Sequence, residues 1–134
     1  VIPLQLDLFT DDTLRIARPH ARNPLCLLDE DCHFEKHAKK GMKVGIGIGR
    51  TEKGYFNTIE FQYSYGGTLG PVFINRPAYS TFEEARAAAI EWLLSVIGTD
   101  YCNDSAAAKR KLRAFAEQAF AEQAFADKSK GKQR

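Results

Sequence analysis

The sequence predicts an α+β domain: a small three-stranded antiparallel sheet covered by a long helix, with a C-terminal helix and an extended N-terminal arm. Three observations predict it. Residues 42–50 and 55–65 alternate apolar and polar side chains with the period of a strand. Residues 80–98 open on overlapping capping boxes and then repeat apolar residues with the period of a helix. A second helical stretch, 105–126, carries an internal repeat, with Ala114–Gln118 recurring as Ala119–Gln123.

Residues 1–24 read as the arm. Pro3, Pro19 and Pro24 punctuate it, and Leu4, Leu6 and Leu8 alternate with polar residues. Thr10 to Ala17 has room for one or two helical turns capped by Asp11 or Asp12. Residues 25–127 form the single domain. Its first element is read as a short helix over 29–40, capped by Asp29 or Asp31 and ended by Gly41. Lys39 and Lys40 then suit the negative end of the helix dipole.

Three strands are expected next. In 42–50, Val44, Ile46 and Ile48 share one face and Gly45, Gly47 and Gly49 the other. In 55–65, Tyr55, Ile59, Phe61 and Tyr63 oppose Phe56, Thr58, Glu60 and Gln62. The short turn 51–54 joins the two as a hairpin. Residues 66–70 make a further turn, and Pro71 to Asn75 the third strand. The helix after Ser80 places Phe82, Ala85, Ala89, Trp92, Leu93 and Val96 on one stripe, and Gly98 closes it. In the second helix a five-residue period turns about 140° per repeat. Phe115, Phe120 and Phe125 therefore spread around the helix, and one of them faces solvent or a partner. Residues 128–134 lack apolar side chains and read as a disordered basic tail.

Size and composition bound the function. The 134 residues suffice for one domain with a modest core. Hydrophobic residues at 44% and charged residues at 27% are globular values. The longest apolar runs, Val44 to Ile48 and Trp92 to Ile97, are too short for a bilayer, so no membrane partner is expected. No secretory signal is visible, and a start without Met points to processing, trimming or a tag. Three cysteines at irregular spacing argue against a disulfide framework and for a reducing, cytoplasmic setting. Residues 104–134 carry a net charge of +4 and residues 1–103 one of −2. A basic end on a near-neutral body points mildly to an acidic partner.

The most specific motif is Gln5-Leu6-Asp7-Leu8-Phe9. It resembles the short peptide with which bacterial DNA polymerases and repair factors dock on the sliding clamp. The resemblance implies that Gln5 anchors by its amide, that Leu8 and Phe9 fill an apolar pocket, and that Leu6 and Asp7 set the backbone path. Such peptides bind by a few apolar anchors plus main-chain hydrogen bonds. The competing reading is an edge strand whose Leu4, Leu6 and Leu8 pack on the domain. A second, weaker resemblance lies in Tyr79 to Ala89. This helix opening is similar to that of AP2 and phage-integrase arm-binding domains, which lay a three-stranded sheet on DNA, and to that of HicB-like antitoxins. The first likeness implies DNA contact, for which Lys43, Arg50, Lys53 and Arg76 are the cations near the sheet. Lys109, Arg110, Lys111 and Arg113 add a basic helix able to grip phosphates without reading bases. Glu60 on the polar sheet face would meet phosphate badly.

Two further patterns are weighed. Cys26, Cys32, His33 and His37, with His20 nearby, are metal-capable residue types, but five residues separate the two cysteines and no second pair follows. No metal or other cofactor is expected. Gly45 to Gly49 lies within a strand and precedes another strand, so it is no phosphate loop; it reads as a face stripped for close packing. No paired carboxylates, activated serine or phosphate loop stand in a catalytic frame, so no enzyme is expected. The leading expectation is a non-catalytic accessory protein of bacterial, phage or plasmid DNA metabolism, docked on the clamp through Gln5 to Phe9. The alternatives are a DNA-binding regulator or antitoxin-like module, and a mobile-element protein that inhibits a host protein. A homodimer through exposed phenylalanines fits any of these.

Overall fold

The structure, a computed structural model, describes residues 14–63, 66–68, 70–99 and 105–132, with side chains at all of these except 66–68 and 122–132. Its strands are β1 (His33–Lys39), β2 (Met42–Thr51), β3 (Gly54–Tyr63) and the short β4 (Gly66–Thr68), followed by helices α1 (Phe82–Ile97) and α2 (Ala106–Lys132). The sheet is antiparallel in the order β1-β2-β3-β4. The α+β class holds, with a sheet covered by a long helix and a second helix behind it.

The β2–β3 register puts the expected faces together. Val44 pairs with Phe61, Ile46 with Ile59, and Ile48 with Asn57. These side chains meet the helices. The buried positions of α1 are Ala85, Ala89, Leu93 and Ile97, one every four residues, and Leu112, Ala116 and Phe120 of α2 continue the same core. Alanine at 85 and 89 lets α1 approach the sheet closely, and Asn57 donates to the carbonyl of Ala85 at 2.9 Å. Thr81 caps α1, accepting from the Glu84 N–H at 3.1 Å.

Two elements differ from expectation. Residues 33–39 are strand β1, not the end of a helix; only Asp29–Asp31 form a 3-10 turn. Seven residues of β1 find partners on β2, from His33 opposite Ile48 to Lys39 opposite Met42. That pairing outweighs any local helical preference. Gly41 (φ 83°) ends no helix: with Lys40 (φ 49°) it forms the two-residue hairpin turn between β1 and β2. Residues 71–75 are the second departure. Gly66–Thr68 pair with β3, whereas 71–75 lie extended against residues 25–27: Leu27 donates to the Val72 carbonyl and Ile74 to that of Leu25, both at 2.9 Å.

This second strip explains the glycines. Leu27 and Val72, with Phe56 and Ala17, form a small core on the sheet face opposite the helices. Leu27 and Cys32 press on Gly49, and the Phe34 ring presses on Gly47. Toward the β1–β2 turn the same face is open, where Lys36, Lys43, Glu60 and Gln62 line a shallow cavity of about 320 Å³. Helix α2 continues through Lys132, six residues past the expected boundary at Ala126. No helix among the described residues is long and apolar enough to cross a membrane.

Candidate functional site

The motif Gln5 to Phe9, and with it Gln5, Leu6, Asp7, Leu8 and Phe9, lies outside the described residues. What the structure does describe is how the chain behind it is fixed. The backbone N–H of Ala17 donates to the Arg50 carbonyl at 2.7 Å, so the arm takes the place beside β2 that β1 vacates before His33. A buried carboxylate then locks it. Asp31 accepts from the Arg18 N–H (2.9 Å), from Arg18 Nε (2.8 Å) and Nη2 (3.1 Å), and from Arg15 Nη2 (3.2 Å). These hydrogen bonds hold the Asp31 carboxyl well below its usual 3.8 and raise Arg18 in turn. Leu14 packs with Ile48, Tyr55 and Ala85, and its carbonyl accepts from Arg50 Nη1 at 3.1 Å. The arm therefore joins the domain beside the β2–β3 hairpin and the start of α1.

The eight expected nucleic-acid cations are not gathered. Arg50 is half-buried, held to Leu14 and set 5.8 Å from the Tyr55 ring. Arg76 stacks over Trp92 at 4.2 Å. Lys109 donates to the Thr99 carbonyl (3.0 Å), and Arg113 to Leu94 (3.0 Å) and Glu117 (2.8 Å). Lys53 is exposed at the β2–β3 turn, while Lys43 lies at the far end of β2, about 30 Å away at strand rise. Arg110 and Lys111 are exposed on α2.

One of the eight, Lys111, does meet other cations. With Lys39 and Lys40 of the β1–β2 turn it lines a cavity of about 390 Å³ that also carries Tyr63, Phe115 and Gln118. No described acidic residue lines it. A neighbouring depression of about 250 Å³ shares Lys39, Phe115 and Gln118 and reaches His37. Lys39, Lys40, Tyr63 and Gln118 are among the site residues that sequence reasoning missed. The signal was the pair Lys40-Gly41, which can end a helix or turn a hairpin. Only the strand pairing decides between them.

The metal-capable residues are dispersed. His33 and His37 do share a face, but of a strand rather than a helix, which separates them by about 13 Å. Each stands edge-on to a ring, His33 to Phe82 at 5.4 Å and His37 to Phe120 at 5.1 Å. Between them Glu35 receives Arg86 Nε at 3.0 Å. Burial would raise the Glu35 carboxyl, but the hydrogen bonds from His33 and Arg86, with the charge of Arg86, outweigh it and lower it. Cys32 points to the other face, where burial first, and then Asp29 and Asp31, push its thiol up to about 12. Cys26 is buried and free. Among the described residues no three His, Cys, Asp or Glu side chains are placed to hold a metal ion.

Comparison with family models, with curated proteins and with solved structures found no match to this chain.

Proposed function

We propose that the protein is a non-catalytic accessory factor of bacterial, phage or plasmid DNA metabolism that docks on the sliding clamp through Gln5 to Phe9. The observation that carries this reading is the residue order Gln-Leu-Asp-Leu-Phe itself. An amide anchor, a spacer pair and two adjacent large apolar residues are what a shallow groove with one apolar pocket recognises in an extended peptide.

The fixed arm lends support. Its first described residue, Leu14, stands five positions after Phe9, so at most about 18 Å of extended chain separates the motif from the domain. A peptide on so short a tether brings its domain to the partner's surface with it. The domain's role is then to present a second surface beside the clamp.

The test is a binding titration of purified sliding clamp with the whole chain and with its Leu8→Ala/Phe9→Ala variant. The wild type should bind saturably. Removal of both anchors should weaken binding by about a hundredfold, since each buried anchor contributes on the order of 1–3 kcal/mol. Equal binding by both proteins refutes the proposal.

A further inference from the structure

We infer that the groove between the β1–β2 turn and α2 is a binding site for the phosphate and base of single-stranded nucleic acid. The site does not depend on clamp docking, and it lies at the opposite end of β2 from the arm.

Four observations carry the inference. The first is charge. Lys39, Lys40 and Lys111 line one cavity with no described acidic neighbour in its wall. Three ammonium groups facing one space repel one another, and an anion relieves that repulsion. Most other cations among the described residues face an acid, a carbonyl or a ring: Arg18 with Asp31, Lys36 with Glu60, Arg86 with Glu35, Arg113 with Glu117, Lys109 with Thr99, and Arg76 with Trp92.

The second is the chemistry of the remaining wall. Tyr63 and Phe115 are half-buried and Gln118 stands beside Phe115 on α2. Cations beside aromatic faces are what a single strand uses, since every base has a face to stack and every residue a phosphate to neutralise. At about 390 Å³ the cavity is of the size that holds one small ligand.

The third is continuity. The adjoining depression of about 250 Å³ shares Lys39, Phe115 and Gln118 with the cavity and extends along α2. Two subsites joined at one lysine and one aromatic suit successive residues of a strand better than an isolated phosphate.

The fourth is the backbone at Lys40. Its φ of 49° lies in the left-handed region, which a residue with a Cβ occupies less readily than glycine. Asparagine or glycine would turn this hairpin more cheaply. The lysine at this turn places a charge in the wall of the cavity.

The test is titration of the full chain, followed by amide NMR shifts and by fluorescence anisotropy, at low salt. The probes are a short oligothymidylate, thymidine monophosphate and inorganic phosphate. The oligonucleotide should shift the amides of Lys39, Lys40, Lys111 and Gln118, and its binding should weaken with salt. Lys111→Glu, at an exposed position, should weaken it by about tenfold, while Arg22→Glu, the same charge change on the exposed arm, should change it by less than about twofold. Lys111→Gln should fall between them. Thymidine monophosphate shifting the same amides as tightly as the oligonucleotide would identify a free nucleotide as the source and overturn the single-strand assignment. Inorganic phosphate binding as tightly as either would overturn the role of the aromatic wall. No shift at these amides with any probe, or equal weakening by Arg22→Glu, overturns the site.

Discussion

Gly49→Ala is the sharpest probe of how the sheet is covered. A Cβ at this position would stand 2.5 Å from Leu27 Cδ1 and 2.9 Å from Cys32 Sγ, with Val72 Cγ1 at 3.5 Å. Carbon atoms pack at about 3.5–4.0 Å, so Leu27 must retreat by about 1 Å. It has little room, being 2% exposed and enclosed with Ala17, Phe56 and Val72. Overpacking of this kind costs about 1–3 kcal/mol. The stiffer backbone of alanine in a strand returns about 0.5–1 kcal/mol. The net expectation is destabilisation by about 1–2 kcal/mol. Urea unfolding followed through the single tryptophan, Trp92, reads it as a fall in midpoint of about 0.5–1 M. Leu27→Val opens space at the point of collision, so the double variant should lose less than the sum of the two single losses. An unchanged midpoint in Gly49→Ala, or strict additivity in the double variant, would refute the close cover of this face by Leu27, Cys32 and Val72.

Other consequences follow from the same packing. Leu93→Ala removes a fully buried side chain between α1 and the sheet and should cost about 3–5 kcal/mol, measured by the same denaturation. Because the Asp31 carboxyl is held low in the folded state, its stabilisation is complete above the usual aspartate range and drains as pH falls below about 4. Thermal midpoints from about pH 6 down to about pH 2 should therefore drop more steeply for the wild type than for Asp31→Asn. Lys40→Gly relieves the left-handed strain and should raise stability by about 0.5–1 kcal/mol while weakening oligonucleotide binding. A gain in both quantities would contradict the role given to this lysine. Cys32, with its thiol pushed up to about 12, should resist thiol reagents in the folded chain at mildly alkaline pH and react on unfolding. Rapid native labelling would show that its pocket is open.

The sequence was most legible where burial imposes a short period. Val44, Ile46 and Ile48 alternate with glycines, and Ile59 and Phe61 with polar residues. The hairpin between them follows from the four residues that join them. Helix α1 is equally plain, because its cap, its alanines and its stripe agree. Strand β1 was not legible, for a physical reason. Its helix-facing residues are His33, Glu35 and His37, which are polar because their partners are Phe82, Arg86 and Phe120, far along the chain. No local pattern carries that information. Residues 71–75 were read as the third strand of the sheet; they pair instead with residues 25–27, which only tertiary packing decides. The lysine groove shares this difficulty, since Lys39 and Lys40 lie about seventy positions before Lys111.

Hydrogen–deuterium exchange of the full chain with and without sliding clamp addresses the docking proposal most directly. The account predicts that clamp slows exchange at residues 5–9 and leaves the amides of β1, β2 and β3 unchanged. It predicts too that the Leu8→Ala/Phe9→Ala chain shows no such slowing. Protection confined to the sheet or to α2, or none at a clamp concentration that saturates a control peptide, would contradict it.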